Sequence, residues 1–254
     1  MRRAWFPLLA ALIVFAIPGV VSAQRGGRAG GGPPPTGRAA APKDLTGTWV
    51  SVVTEHWHLR MMVPPRGDVS MIPANPEARK IANAWDPAKE PAAEACKSYG
   101  AAAIMRVPGR FHISWVNDTT LQMDVDSGTQ TRVFHFGGAA PATQAPEWQG
   151  YSVASWDALG ARGRGARPTQ LKVITTKMRP GYLRKNGIPY GANATLEEWY
   201  DRFTEPNGDD WLVVTSIIND PQYLTGPYAT TNHFRKIPDK QGWDPTPCRA
   251  DQAR

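Results

Sequence analysis

The chain has 254 residues, with 29 Lys and Arg against 22 Asp and Glu, and a formal charge of +7. That excess sits in the first 43 residues, where Arg2, Arg3, Arg25, Arg28, Arg38 and Lys43 face no acid. From Asp44 onward 23 cations meet 22 acids. A near-neutral folded part lacks the clustered cationic face that nucleic acid requires, so no nucleic-acid partner is expected.

Residues 1–23 read as a signal peptide: Arg2 and Arg3, an apolar run from Leu8 to Val21, and the small residues Ser22 and Ala23 before Gln24. Pro7, Pro18 and the short apolar run speak against an uncleaved anchor. A periplasmic or secreted location follows. No other stretch is long and apolar enough to span a bilayer, so no stable membrane insertion is expected after signal removal. Residues 24–43 form a Gly/Pro/Ala-rich stretch with little to bury, expected to be a disordered linker. About 210 residues remain from Asp44 to Arg254, enough for a single all-β domain.

DLTGTWVSVVT (44–54) reads as a first strand that runs on into EHWHLRMMV before Pro64-Pro65 stops it. Asn75-Pro76-Glu77 then starts a helix, with Asn75 as cap, Pro76 at the first helical position and Glu77 on the dipole. Ala78, Ile81, Ala82 and Trp85 give it one apolar face, and Asp86-Pro87 ends it. Short strands follow: RFHISWV, LQMDVD and TQTRVFHF, turning at Asn117-Asp118 and Ser127-Gly128, then WQGYSVASW. The Arg/Gly loop with Arg162, Arg164 and Arg167 reads as a solvated loop. LKVITTKM, NATLEEWYDRF, DDWLVVTSII and YATTNHFRKI complete the sheet, with Pro206-Asn207-Gly208-Asp209 as the clearest hairpin turn. Eight to nine strands joined mostly by hairpins predict an antiparallel up-and-down barrel with a small helical insert after the first strand.

The two cysteines, Cys96 and Cys248, read as one disulfide in an exported protein, with two free thiols as the alternative.

Gly47-Thr48-Trp49 at the start of the first strand resembles the Gly-x-Trp of the lipocalins. That resemblance implies an eight-stranded barrel whose Trp packs at the closed end. It also implies an Arg near the end of the last strand packing on that Trp, for which Arg235 is the candidate. The stretches LTGTWVSVVTE, CKSYGAAAIMRVPGRFHISW, GTQTRVFHFGG, WQGYSVASW, MRPGYLRKNGIPY and INDPQYLTGPY also resemble a family of exported bacterial proteins with no assigned reaction. That resemblance implies an exported β-rich domain.

Several residues carry possible chemistry. His56 and His58, at i and i+2 on a strand, would share a face and are weak metal candidates, although the Glu of a cupin motif does not follow them. No metal or other cofactor is expected. His112, His135 and His233 lie on three strands and are candidate general bases if they enter the interior. Glu197 and Glu198 alternate, so one faces in and requires a partner such as Arg132 or Arg202. Trp115, Trp156 and Trp199 on strands, with Tyr182, Arg184, Tyr190, Tyr223 and Tyr228 on long rim segments, are the expected ligand contacts. The first reading is a lipocalin-like protein holding a small apolar or aromatic molecule. The alternatives are a cofactor-independent isomerase, cyclase or hydrolase with an interior His/Glu pair, and a structural envelope protein.

Overall fold

The computed structural model describes residues 37–158 and 167–254. The expected signal peptide, most of the linker, and Arg162 and Arg164 lie outside the described residues. The described residues hold eleven strands: β1 (Gly47–Val52), β2 (Arg110–Asn117), β3 (Thr120–Val125), β4 (Gln130–Phe136), β5 (Tyr151–Asp157), β6 (Gln170–Thr176), β7 (Gly181–Arg184), β8 (Ile188–Tyr190), β9 (Thr195–Thr204), β10 (Asp210–Asn219) and β11 (Tyr228–Ile237). Nine of them close into a barrel in the order β1-β11-β10-β9-β6-β5-β4-β3-β2, and β7 pairs with β8 as a separate hairpin. Closure rests on β1, which pairs with β2 (Thr48 opposite His112) and with β11 (Val50 opposite Arg235).

The hairpin turns follow local chemistry. Asn117 Oδ1 accepts the Thr119 amide at 2.9 Å, and Asn207 Oδ1 accepts the Asp209 amide at 2.9 Å. Gly128, at φ 77°, turns β3 into β4 where a Cβ would collide with the Tyr99 ring.

One seam departs from the up-and-down pattern. β4 and β5 pair in parallel, with Phe134 opposite Ser152. Parallel neighbours require a crossover. Residues 137–150 provide it, held down by Ala101 N donating to Trp148 O at 3.0 Å and by Gln149 Nε2 donating to Tyr99 O at 2.7 Å.

Residues 37–43 belong to the folded body rather than to the linker. Trp156 Nε1 donates to Gly37 O at 2.7 Å, and Lys43 pairs with Asp201 at 2.6 Å. The insert between β1 and β2 holds α1 (Trp57–Arg60), α2 (Pro76–Ala84) and α3 (Ala101–Ile104). The α2 cap forms as expected: Asn75 Oδ1 accepts the Ala78 amide at 2.9 Å. The stretch 181–190 is not an open loop. Its β7–β8 hairpin is largely buried, with Arg184 donating to Ser70 O at 2.7 Å and Asn186 to Asp68 O at 2.8 Å.

Two apolar clusters result. One fills the barrel around Trp49, Phe111, Phe134, Tyr200 and Phe234. The other joins the insert to the barrel end through Ala78, Leu183, Tyr190, Leu196 and Tyr228. Between them a polar layer crosses the lumen. Arg132 of β4 and Glu198 of β9, both fully buried, bond at 3.0 Å and 2.5 Å. Tyr200 OH accepts from Arg132 at 3.0 Å. In the sheet β5 and β6 separate β4 from β9, so this pair bridges the lumen. Burial opposes the charge on Arg132, but Glu198 and Tyr200 outweigh it and hold the guanidinium well above its ordinary value.

Trp49 is buried and donates to Leu45 O at 3.0 Å. The cation over its ring is Lys236, 5.7 Å from the centroid, and not Arg235, which points outward toward Asp209. Cys96 and Cys248 form a disulfide with Cα atoms 5.1 Å apart, tying the C-terminal tail to the insert.

Candidate functional site

The predicted histidines do not enter the barrel. His112 lies on the outer face between Thr48 and Asp239, 3.0 Å from each. His135 stacks on Tyr151 with ring centroids 4.6 Å apart, and burial holds its pKa below the ordinary value. His233 stands elsewhere, 3.5 Å from Glu55. Glu197 faces outward and pairs with Lys172 at 3.0 Å, while the interior partner of Glu198 is Arg132. No interior His/Glu pair therefore forms. His56 and His58 do not share a strand face either. The chain leaves the sheet after Val52, His56 adopts φ 50°, and His58 lies in the single turn of α1. Among the described residues no group of three metal-ligating side chains converges.

The predicted aromatics also part company. Trp115 and Trp156 each pack on Phe136 at one barrel end, with centroids 5.4 Å and 5.3 Å away. Trp199 lies under Lys172 on the outer face. Tyr182 donates to Glu90 at 3.0 Å, and burial pushes its phenol up to about 12. Tyr190 is buried in the insert cluster and Tyr223 packs on its edge. Arg184 and Tyr228 meet in a cleft at the barrel mouth, away from the Trp115–Phe136–Trp156 group.

The cleft arises because β1 stops at Val52, opposite His233, and leaves residues 228–232 of β11 without a strand neighbour on that side. Glu55 and His56 form the opposite wall. The space measures about 230 Å³ and is lined by Glu55, His56, Met71, Arg106, Arg184, Tyr228, Thr230 and His233, among others. A cavity of about 20 Å³ adjoins it and shares Arg106 and Arg184, adding Leu59, Arg60, Met62 and Lys185.

Three guanidinium groups therefore converge from separate segments. Arg60 comes from α1, Arg106 from the turn before β2, and Arg184 from β7. Arg60 and Arg184 are buried. Arg60 donates to Glu55 at 2.8 Å and to Arg106 O at 3.2 Å, but its Nη2 has no partner among the described residues. Arg184 spends its two Nη groups on carbonyls, and its Nε is likewise unpartnered. Burial, together with repulsion from Arg106, lowers the pKa of both. Burial opposes ionisation of Glu55, but the Thr54 hydroxyl, Arg60 and His233 hold its pKa below the ordinary value. A buried cationic cluster with unused donors binds an anion well, because the anion relieves the mutual repulsion and fills the donors.

Sequence reasoning singled out Arg184, Tyr228, His56 and His233, the two histidines for other roles, but missed Arg60 and Arg106. The available signal was two cations flanked by Met in HLRMM and IMRVP. The assumed strand in residues 55–63 hid it.

Lys185 adjoins the small cavity. Its Nζ donates to Tyr99 OH and to Gln252 O at 2.8 Å, and lies 3.8 Å from the Tyr99 ring centroid. Burial pushes it down to about 7, against a weaker opposing pull from Asp251. The folded pKa lies below the unfolded one, so the unfolded chain binds more protons between about 7 and 10.5. Stability should therefore rise with pH across that window, by at most about 5 kcal/mol. Urea melts at pH 7 and pH 9 measure the slope, and Lys185→Met should flatten it.

No protein-family model, curated protein or solved structure matches the chain.

Proposed function

We propose that this protein is an exported binding protein of lipocalin-like build that holds a small anionic molecule with an apolar body at the barrel mouth. The carrying observation is that Arg106 and Arg184 line the cleft while Arg60 joins them in the small cavity beside it, with unused buried donors on Arg60 and Arg184. Met62 and Met71 line the same two cavities and offer adaptable apolar contact. Export is supported by the signal-like N-terminus and by the disulfide. The lipocalin-like reading rests on the closed nine-strand barrel and on the buried Trp49 of the Gly-x-Trp start. The parallel β4–β5 seam and the large insert set it apart from a simple eight-stranded member.

Calorimetric titration with decanoate, decanol and decyltrimethylammonium tests the charge preference. Decanoate should bind and the cation should not. Arg106→Ala, at a half-buried position, should weaken decanoate about tenfold or more, since a hydrogen bond to a charged group is worth about 1.5–3 kcal/mol. Equal binding of decanoate and decanol would contradict the proposal.

A further inference from the structure

The described residues leave seven large hydrophobic side chains exposed, and four of them lie in one short stretch: Trp57, Met61, Met62 and Met71, each 53–60 % exposed. The other three, Val116, Ile174 and Phe203, are scattered over the strands, as single exposed apolar residues commonly are. The cluster is built rather than frayed. Leu59 and Arg60 anchor α1 inward, and Met61 N donates to Trp57 O at 2.7 Å, which keeps the turn closed. Met71 holds φ 67°, a left-handed conformation that a methionine rarely adopts. Met62 and Met71 border the two cavities, so the apolar group forms the lip of the cationic cleft.

Around this lip four arginines, Arg60, Arg66, Arg106 and Arg184, meet three carboxylates, Glu55, Asp68 and Asp86, and Arg106 has no carboxylate partner among the described residues. Glu55 is tied to Arg60 at 2.8 Å, and Asp68 lies 4.0 Å from Arg184. Arg66 is about half exposed and reaches only Asp86, at 3.9 Å. Arg106 opens into both cavities. A Trp and three Met side chains standing out beside cations match a bilayer surface: indole sits at the headgroup level, thioethers enter the acyl boundary, and guanidinium meets anionic headgroups.

We infer that this lip docks reversibly on an anionic lipid surface and presents the cleft to it, which makes a membrane-derived anionic amphiphile the ligand class. The inference rests on the cleft reading above. Charge complementarity selects an anionic bilayer as the occupant. The contact is peripheral, since no helix among the described residues is long and apolar enough to cross a membrane.

The experiment is co-sedimentation of the full chain, purified from an exporting host, with two kinds of vesicle. One kind is phosphatidylglycerol mixed with phosphatidylcholine, and the other is phosphatidylcholine alone. The comparison protein is Trp57→Ala/Met61→Ser with the same N-terminus. Neither substituted residue lines a cavity, and both are exposed. The wild type should sediment with the anionic vesicles, more weakly at high salt, and the double variant should lose about tenfold or more of that binding. Three results would each overturn docking: no sedimentation of the wild type, equal sedimentation of the variant, or equal affinity for phosphatidylcholine alone. Decanoate titration of the same two proteins separates the readings. Docking that fails while decanoate binds both proteins leaves the cleft reading standing. Decanoate that binds neither removes the cleft reading on its own account.

Discussion

Replacing Glu198 with Ala should destabilise the protein by about 3–5 kcal/mol, because it leaves the Arg132 guanidinium buried and uncompensated. Both side chains are fully buried, and the nearest remaining acceptors are Tyr200 OH at 3.0 Å and Thr175 Oγ1 at 3.5 Å. Neither replaces a carboxylate. The double variant Arg132→Met/Glu198→Leu removes both charges and should recover most of the loss, since a buried ion pair and a well-packed apolar pair are often close in stability. Urea unfolding of the wild type, Arg132→Met, Glu198→Leu and the double variant closes the cycle. Glu197→Ala is the internal control. Its pair with Lys172 is partly exposed on the outer face, so its loss should cost less than about 1 kcal/mol. Equal costs at positions 197 and 198 would refute the placement of the polar layer.

Removing the disulfide by Cys96→Ser should cost up to about 5 kcal/mol, given a sequence separation of 152 residues. The tail it anchors has other ties. Arg254 bonds Asp126 at 2.9 Å and Asp244 at 2.8 Å, and Lys185 holds Gln252 O. These contacts hold the folded tail in place without the bridge, so the cost arises from the regained freedom of the unfolded chain and should approach the chain-entropy value. Cys248→Ser should match Cys96→Ser, and the double variant should add nothing further. The unfolding midpoint in urea reads the effect. A double variant much weaker than either single one would show that the two cysteines act separately.

The barrel was legible wherever the period of two meets a clear turn. Alternation along β9 sent one of Glu197 and Glu198 inward and offered Arg132 or Arg202 as its partner; the inward one is Glu198, and it pairs with Arg132. Asn75-Pro76 marked α2 because capping is a local event. Lys236 was missed for a reason of parity. It shares the inward face with Phe234, whereas Arg235 shares the outward face with His233. The parallel seam was hidden because a 14-residue loop rich in Gly, Pro and Ala carries no direction in its composition. The β7–β8 hairpin looked like an exposed loop because its cations and glycines are usual at surfaces. In the fold Arg184 and Asn186 instead saturate carbonyls of residues 65–70.

The cleft was the least legible feature. His56, His58 and Arg60 alternate as on a strand, and the nine residues 55–63 are too few to separate that period from a single helical turn. The left-handed His56 turns Arg60 inward, where Arg106 and Arg184 arrive from segments far along the chain. No local pattern reports a site assembled in that way. The aromatics, by contrast, were visible but do not form one site: Trp115 and Trp156 meet on Phe136, while the outward parity of Trp199 takes it to the outer face.

Titration of isotope-labelled protein with decanoate, followed by nuclear magnetic resonance, tests the central claim most directly. Saturable shifts are expected at residues 55–60, 71, 106, 184 and 228–233, with the guanidinium signals of Arg60, Arg106 and Arg184 moving most. Absence of saturable shifts there, or shifts centred on the separate cavity lined by Trp115, His112 and Asp239, would contradict an anion site at the barrel mouth.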